Sequence, residues 1–158
     1  MERNPITPEG YKKLVKELKH HKEVLRPGIV KEIEIARAHG DLSENAEYDY
    51  AKDRQGMIEA RTDELESMVA RAEIIDIKKI APSERVIFGT TVELMDLETE
   101  EELEYRIVGK IEADVKAGLI SYTSPIARSI IGQVIGDEVR VKTPKGLRTL
   151  EILNVRYE

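Results

Sequence analysis

Tyr48, Ala51, Gln55, Ile58, Thr62, Leu65, Val69 and Ala72 recur at alternating spacings of 3 and 4 without a break. That spacing keeps one stripe on one side of an α-helix for three and a half heptads, and the stripe needs a second helix to cover it. A partner precedes it in the chain. Tyr11, Leu14, Leu18, His21 and Leu25 recur at 3 and 4, and Ile29, Ile33 and Ala36 continue the seam at 4, 4 and 3. The wider spacing is a stutter around Pro27, which has no N–H to donate and would kink the helix or loosen its ladder. Thr7-Pro8-Glu9 reads as an N-cap, a proline at the first helical position and an acid in the first turn. His39-Gly40-Asp41 ends the first helix with a glycine at its C-terminal cap. Two helices of about 30 residues joined by a short turn pack antiparallel, as a hairpin roughly 45 Å long.

The period changes in the second half. The helical spacing extends to about Asp76, and Pro82-Ser83 marks a short linker within residues 78 to 85. Beyond it, residues 91 to 97 and 102 to 108 alternate as strands around an acidic turn. Ser124-Pro125 caps a short helix that runs to Ile131 and stops at Gly132. Residues 139 to 142 and 147 to 153 flank Thr143-Pro144-Lys145-Gly146, a turn with Pro second and Gly fourth. The expected fold is α+β, with an antiparallel coiled-coil hairpin over residues 1–77 and an antiparallel sheet with one short helix over residues 78–158.

Composition narrows the function. The chain has 158 residues, no Cys, no Trp and one Phe, so thiolate metal sites and aromatic base-stacking platforms are not expected. It has no apolar run of the roughly 18 to 20 residues a membrane span needs and no signal peptide, so a cytoplasmic protein is expected. With 31 acids against 25 bases, little independent DNA binding is expected. Charge also divides along the hairpin. Residues 12 to 37 carry a net +4 and residues 41 to 76 a net −7, which reads chiefly as complementarity between solvated flanks. Arg37, about one turn before the bend, and Lys52, about two turns after it, could instead face whatever the bend approaches.

The bend reads Gly40-Asp41-Leu42-Ser43-Glu44-Asn45-Ala46-Glu47-Tyr48. One reading is structural: Asp41 caps the second helix and Glu44 completes a capping box. The other is chemical. Acids three apart at a helix start have Cβ atoms about 5 to 6 Å apart and can share a hard cation. Magnesium wants six oxygens, so an incomplete acidic site on a protruding arm implies that a partner supplies the rest.

The bend motif, with Ala51-Lys52 and Gln55, resembles that of the Gre transcript-cleavage factors, the GreA branch more closely than GreB. Arg85-Val86-Ile87-Phe88-Gly89, Tyr105-Arg106-Ile107-Val108-Gly109, Ser124-Pro125-Ile126-Ala127-Arg128 and Lys142-Thr143-Pro144-Lys145-Gly146 resemble the same family's C-terminal signatures. The resemblance covers nearly the whole chain. It implies an FKBP-like C-terminal domain, and a monomer that binds bacterial RNA polymerase with its hairpin in the secondary channel. Asp41 and Glu44 match the tip acids that share a Mg2+ ion with the polymerase, which itself cleaves the nascent RNA; the chain is then an activator and not an enzyme, and alone holds no cofactor. Arg37 and Lys52 resemble basic positions that attract the RNA 3′ end. Ser43, Asn45, Glu47 and Tyr48 would support the tip, and Ser124, Pro125, Ile126, Ala127 and Arg128 part of the docking surface, although Ser124-Pro125 reads equally as a plain helix cap.

Two other functions fit parts of the chain. A Gre-like channel binder could modulate polymerase without cleavage, but the acid pair argues against it. An FKBP-like half could isomerise prolyl bonds, but residues 78 to 158 contain only Phe88, Tyr105, Tyr122 and Tyr157 as aromatics.

Overall fold

The long stripe forms one helix, α3, Ala46–Arg71. Every stripe position from Tyr48 to Ala72 is buried or half-buried, and Ala51, Thr62 and Leu65 are buried. The computed structural model describes residues 2–40 and 45–158, which divide into a hairpin, Tyr11–Ala72, and a second unit made of Arg3–Gly10 with Glu73–Glu158. The other arm consists of α1, Pro8–His20, a π-helical turn, His21–Leu25, and α2, Arg26–Ala38. Ile29 and Ile33 of α2 cluster with Ala51, Tyr48 and Ile58 of α3. No helix among the described residues is long and apolar enough to cross a membrane.

The π turn gives the stutter its physical form. The Arg26 N–H donates to the His21 carbonyl, one residue further back than in an α-helix. Pro27 follows and has no N–H for the Glu23 carbonyl, so a wider turn at this place costs few additional bonds. The seam spacings of 4, 4 and 4 from His21 to Ile33 correspond to about 4 residues per turn, against about 3.6 in an α-helix.

Ion pairs flank the seam. Lys22 meets Glu66 at 2.6 Å, and Arg26 grips both oxygens of Glu59 at 2.7 and 3.0 Å. Glu17 pairs with Arg61 at 2.9 Å and Glu32 with Arg54 at 2.8 Å. The complementarity expected from net charge is therefore present, but both arms contribute both signs. Exposed pairs of this kind contribute about 0–1 kcal/mol each; their larger effect is to specify how the arms align.

In the second unit, β3 (Thr91–Asp96), β4 (Glu102–Val108), β5 (Leu119–Ser121), β6 (Glu138–Thr143) and β7 (Gly146–Arg156) form one sheet in the order β5-β4-β3-β7-β6. All neighbours are antiparallel except β4 and β5, which run parallel. The inward positions of β3 and β7, with α4, Pro125–Ile130, make the core: Val92, Leu94, Leu150, Ile152, Ala127 and Ile130 are all essentially inaccessible. The Thr143–Gly146 turn forms where its residues indicate, with Gly146 at φ +115°.

Two further strands, β1, Asn4–Ile6, and β2, Ala72–Ile74, pair with each other. The helical seam therefore ends at Arg71 and not near Asp76. The division falls at residue 72 and not at 77, and Arg3–Gly10 packs with the later residues. Glu112 explains that packing. Its carboxylate accepts from the Thr7 N–H at 3.1 Å, the Gly109 N–H at 2.7 Å and the Thr7 hydroxyl. Thr7 is 1% exposed, so Glu112→Ala should leave buried donors unpaired and cost about 1–3 kcal/mol, read as a lower urea midpoint.

Asp96 is buried and meets Arg148 at 2.8 Å. The Arg148 hydrogen bond, with those from the Glu98 and Thr99 N–H groups, holds its carboxyl below the usual range despite the opposing effect of burial. A carboxyl lowered on folding stabilises the fold above its unfolded pKa of about 3.9, and that contribution disappears as pH falls through the folded value. The urea-midpoint difference between the native chain and Asp96→Asn should therefore be constant from about pH 7 to 5 and shrink below about pH 4.

Candidate functional site

Asp41, Ser43 and Glu44 lie outside the described residues. The residues on either side of them are described. The first arm closes with the His39 N–H on the Ala36 carbonyl at 3.2 Å and the Gly40 N–H on the Arg37 carbonyl at 3.3 Å. Gly40 has φ +110°, a conformation that L side chains rarely adopt, which accounts for glycine at this end of the helix. The second arm opens with Asn45 as the N-cap of α3, its Oδ1 accepting from the Tyr48 N–H at 3.1 Å. The capping-box reading of Asp41 and Glu44 is thereby corrected: α3 begins at Ala46, and a neutral amide caps it.

Three contacts cross from one arm to the other beside the bend. The Asn45 Nδ2 donates to the Ala36 carbonyl at 2.6 Å, His39 Nδ1 lies 3.3 Å from a Glu47 oxygen, and the Arg37 guanidinium carbon lies 5.9 Å from the centre of the Tyr48 ring. Cation–π attraction of this kind is worth about 0.5–1 kcal/mol at an exposed site. Lys52 lies one helical turn beyond Tyr48, exposed beside the stripe, and donates to Gln55 Oε1 at 3.1 Å. Among the described residues neither Arg37 nor Lys52 pairs with a carboxylate.

Ser43 aside, each residue expected to support the tip makes a defined contact. Asn45 caps and bridges, Glu47 meets His39, and Tyr48 lies under Arg37. Among the described residues no cluster of three or more His, Cys, Asp or Glu could hold a metal by itself. Asp41 and Glu44 supply the hard oxygen donors that magnesium prefers, but two carboxylates leave its sixfold shell incomplete.

The second cluster surrounds α4. Ser124 Oγ accepts from the Ala127 N–H at 3.3 Å, so its cap role is real. Ala127 is in the core, which leaves Pro125, Ile126 and Arg128 to face outward or line the adjoining cavity. That cavity has about 200 Å³ and is lined by Tyr105, Ile120, Pro125, Ile126, Val141 and Pro144, among others. Residues 141 to 144 come from β6 and its turn, and no local pattern links them to α4. Tyr105 is the one aromatic side chain on the cavity wall. Phe88 packs edge-on against Tyr122 with ring centres 6.0 Å apart, and the Tyr157 hydroxyl donates to the Arg85 carbonyl at 2.6 Å. This cavity therefore offers the isomerase reading no aromatic lining beyond Tyr105.

Residues 4–74 match the family model for the N-terminal part of transcription elongation factors, and residues 81–157 match the C-terminal model of GreA/GreB. The chain is 55% identical to the transcription elongation factor GreA of Phenylobacterium zucineum, over 99% of both chains. It is 54% identical to the GreA of Beijerinckia indica, over all of both, and 53% identical to that of Rickettsia prowazekii, over 98% of this chain and 94% of the relative. Among solved structures, Gfh1 of Thermus thermophilus is 28% identical over 99% of both chains with a TM-score of 0.43. Since the two models cover both halves of the sequence in order, and full-length relatives share about half of its residues, the chain belongs to the GreA/GreB family of transcription elongation factors.

Proposed function

We propose that this chain rescues backtracked bacterial RNA polymerase by stimulating the polymerase's own cleavage of the nascent RNA 3′ end. The observation that carries the reading is the match of both halves of the chain, in order, to the GreA/GreB family, together with the acid pair Asp41 and Glu44 in the sequence of the bend. The hairpin enters the secondary channel and presents Asp41 and Glu44 to the active site, where polymerase and RNA oxygens complete the ligand set. Magnesium, when bound there, helps generate the attacking hydroxide and stabilises charge developing on the scissile phosphate. Asp41 and Glu44 hold the ion and orient the water. Arg37 and Lys52 attract the phosphates of the displaced RNA 3′ segment. The partner keeps the catalytic centre, and this chain contributes its missing carboxylates.

Docking is assigned to the exposed side of α4 and the adjoining cavity. Arg128→Glu should raise the factor concentration for half-maximal cleavage on the order of tenfold and leave the saturated rate unchanged. A lowered saturated rate with unchanged half-maximal concentration would remove Arg128 from the docking surface. The function itself is tested by adding the protein to a stalled elongation complex with labelled RNA, where shortened transcripts are expected.

A further inference from the structure

We infer that Asn45 is a positioning residue for cleavage, tying the two arms together across the acid-bearing turn. The inference rests on the proposed function for its catalytic part and on the structure for its mechanical part. An α-helix leaves unpaired carbonyls at its C-terminus and unpaired N–H groups at its N-terminus. At this bend one primary amide serves both ends. Its oxygen accepts from the Tyr48 N–H of α3 at 3.1 Å, and its nitrogen donates to the Ala36 carbonyl of α2 at 2.6 Å. Ala36 also accepts from the His39 N–H at 3.2 Å, so both lone pairs of that carbonyl are engaged. Asp41 and Glu44 belong to the short stretch between these two attachment points. Asn45 fixes the two arm ends from which that stretch departs, and fixed attachment points are what positioning for reaction requires.

The chemistry separates the cap from the bridge. Aspartate caps a helix about as well as asparagine, but it has no N–H for Ala36 and would set a carboxylate oxygen against a carbonyl oxygen. Asn45→Asp therefore cuts the bridge and keeps the cap. Asn45→Ala removes both. The His39–Glu47 contact and the Ile29, Ile33, Ala51 cluster are untouched in either variant, so the hairpin remains paired.

The test uses the full-length chain and two readouts. The chain has no cysteine, so spin labels at Ile35→Cys and Tyr50→Cys, both exposed positions in the two arms near the bend, report the distance between the arms. Asn45→Asp should broaden that distribution. In a stalled elongation complex at saturating factor it should lower the cleavage rate on the order of tenfold or more and raise the magnesium concentration for half-maximal rate. Helical content should match the native chain. An unchanged distance distribution removes the bridge, whatever cleavage does. A broadened distribution with native rate and native magnesium dependence removes the positioning role. If the native chain gives no cleavage at all, the proposed function fails and the positioning role with it, while the label distances still decide whether Asn45 bridges the arms.

Discussion

Replacing Asp41 by Asn and Glu44 by Gln together should abolish stimulated cleavage while leaving the fold and polymerase binding intact. The cap of α3 is Asn45, so the double variant removes no helix cap and the urea midpoint should move by less than about 0.5 kcal/mol equivalent. A neutral amide is a far weaker ligand for a hard cation than a carboxylate. Several kcal/mol of charge stabilisation is at stake, so the saturated rate should fall on the order of 100-fold or more. Raising magnesium should partly rescue each single variant and do less for the double one. Normal cleavage by a bound double variant would leave the acids with no catalytic role.

The opposite separation is expected at Leu65. It is fully buried in a thin hairpin interior whose other buried apolar residues, among those described, are Leu14, Ile29, Ile33, Ala36 and Ala51. Such a core has little material with which to close a cavity, so Leu65→Ala should cost about 2–5 kcal/mol. Met57, on the same helix, is 72% exposed, and Met57→Ala should stay within about 0.5 kcal/mol. Guanidinium unfolding followed by helical circular dichroism distinguishes them. Equal midpoints for the two variants would mean that the seam is not what holds the arms together.

The hairpin was legible because period carries its own physics: a stripe of 3 and 4 can be buried in one way, and every one of its positions is covered. Even the π turn left a trace, in the three successive spacings of 4 about Pro27. The sheet was legible at β3, β4, β6, β7 and the Thr143–Gly146 turn, where alternation and turn chemistry are local. β1, β2 and β5 were not, since each has three residues and is specified by its partner strand more than by its own pattern. The Glu112 clasp was out of reach for the same reason, joining Thr7 to a carboxylate 105 positions away. At the bend the acids stood out, but their spacing suited a capping box equally well. Only the backbone shows that Asn45 is the cap, and nothing in the sequence marks its second bond to Ala36.

Whether the bend activates transcript cleavage by a partner, and does not merely occupy it, is decided most directly in a backtracked bacterial elongation complex. Its RNA is labelled at the 3′ end, and the complex is mixed with the native chain in magnesium and then supplied with nucleotides. Release of a short labelled 3′ fragment is expected, followed by resumed elongation from the new 3′ end. A bound factor that slows elongation while the label stays on the full-length transcript would contradict activation by the bend.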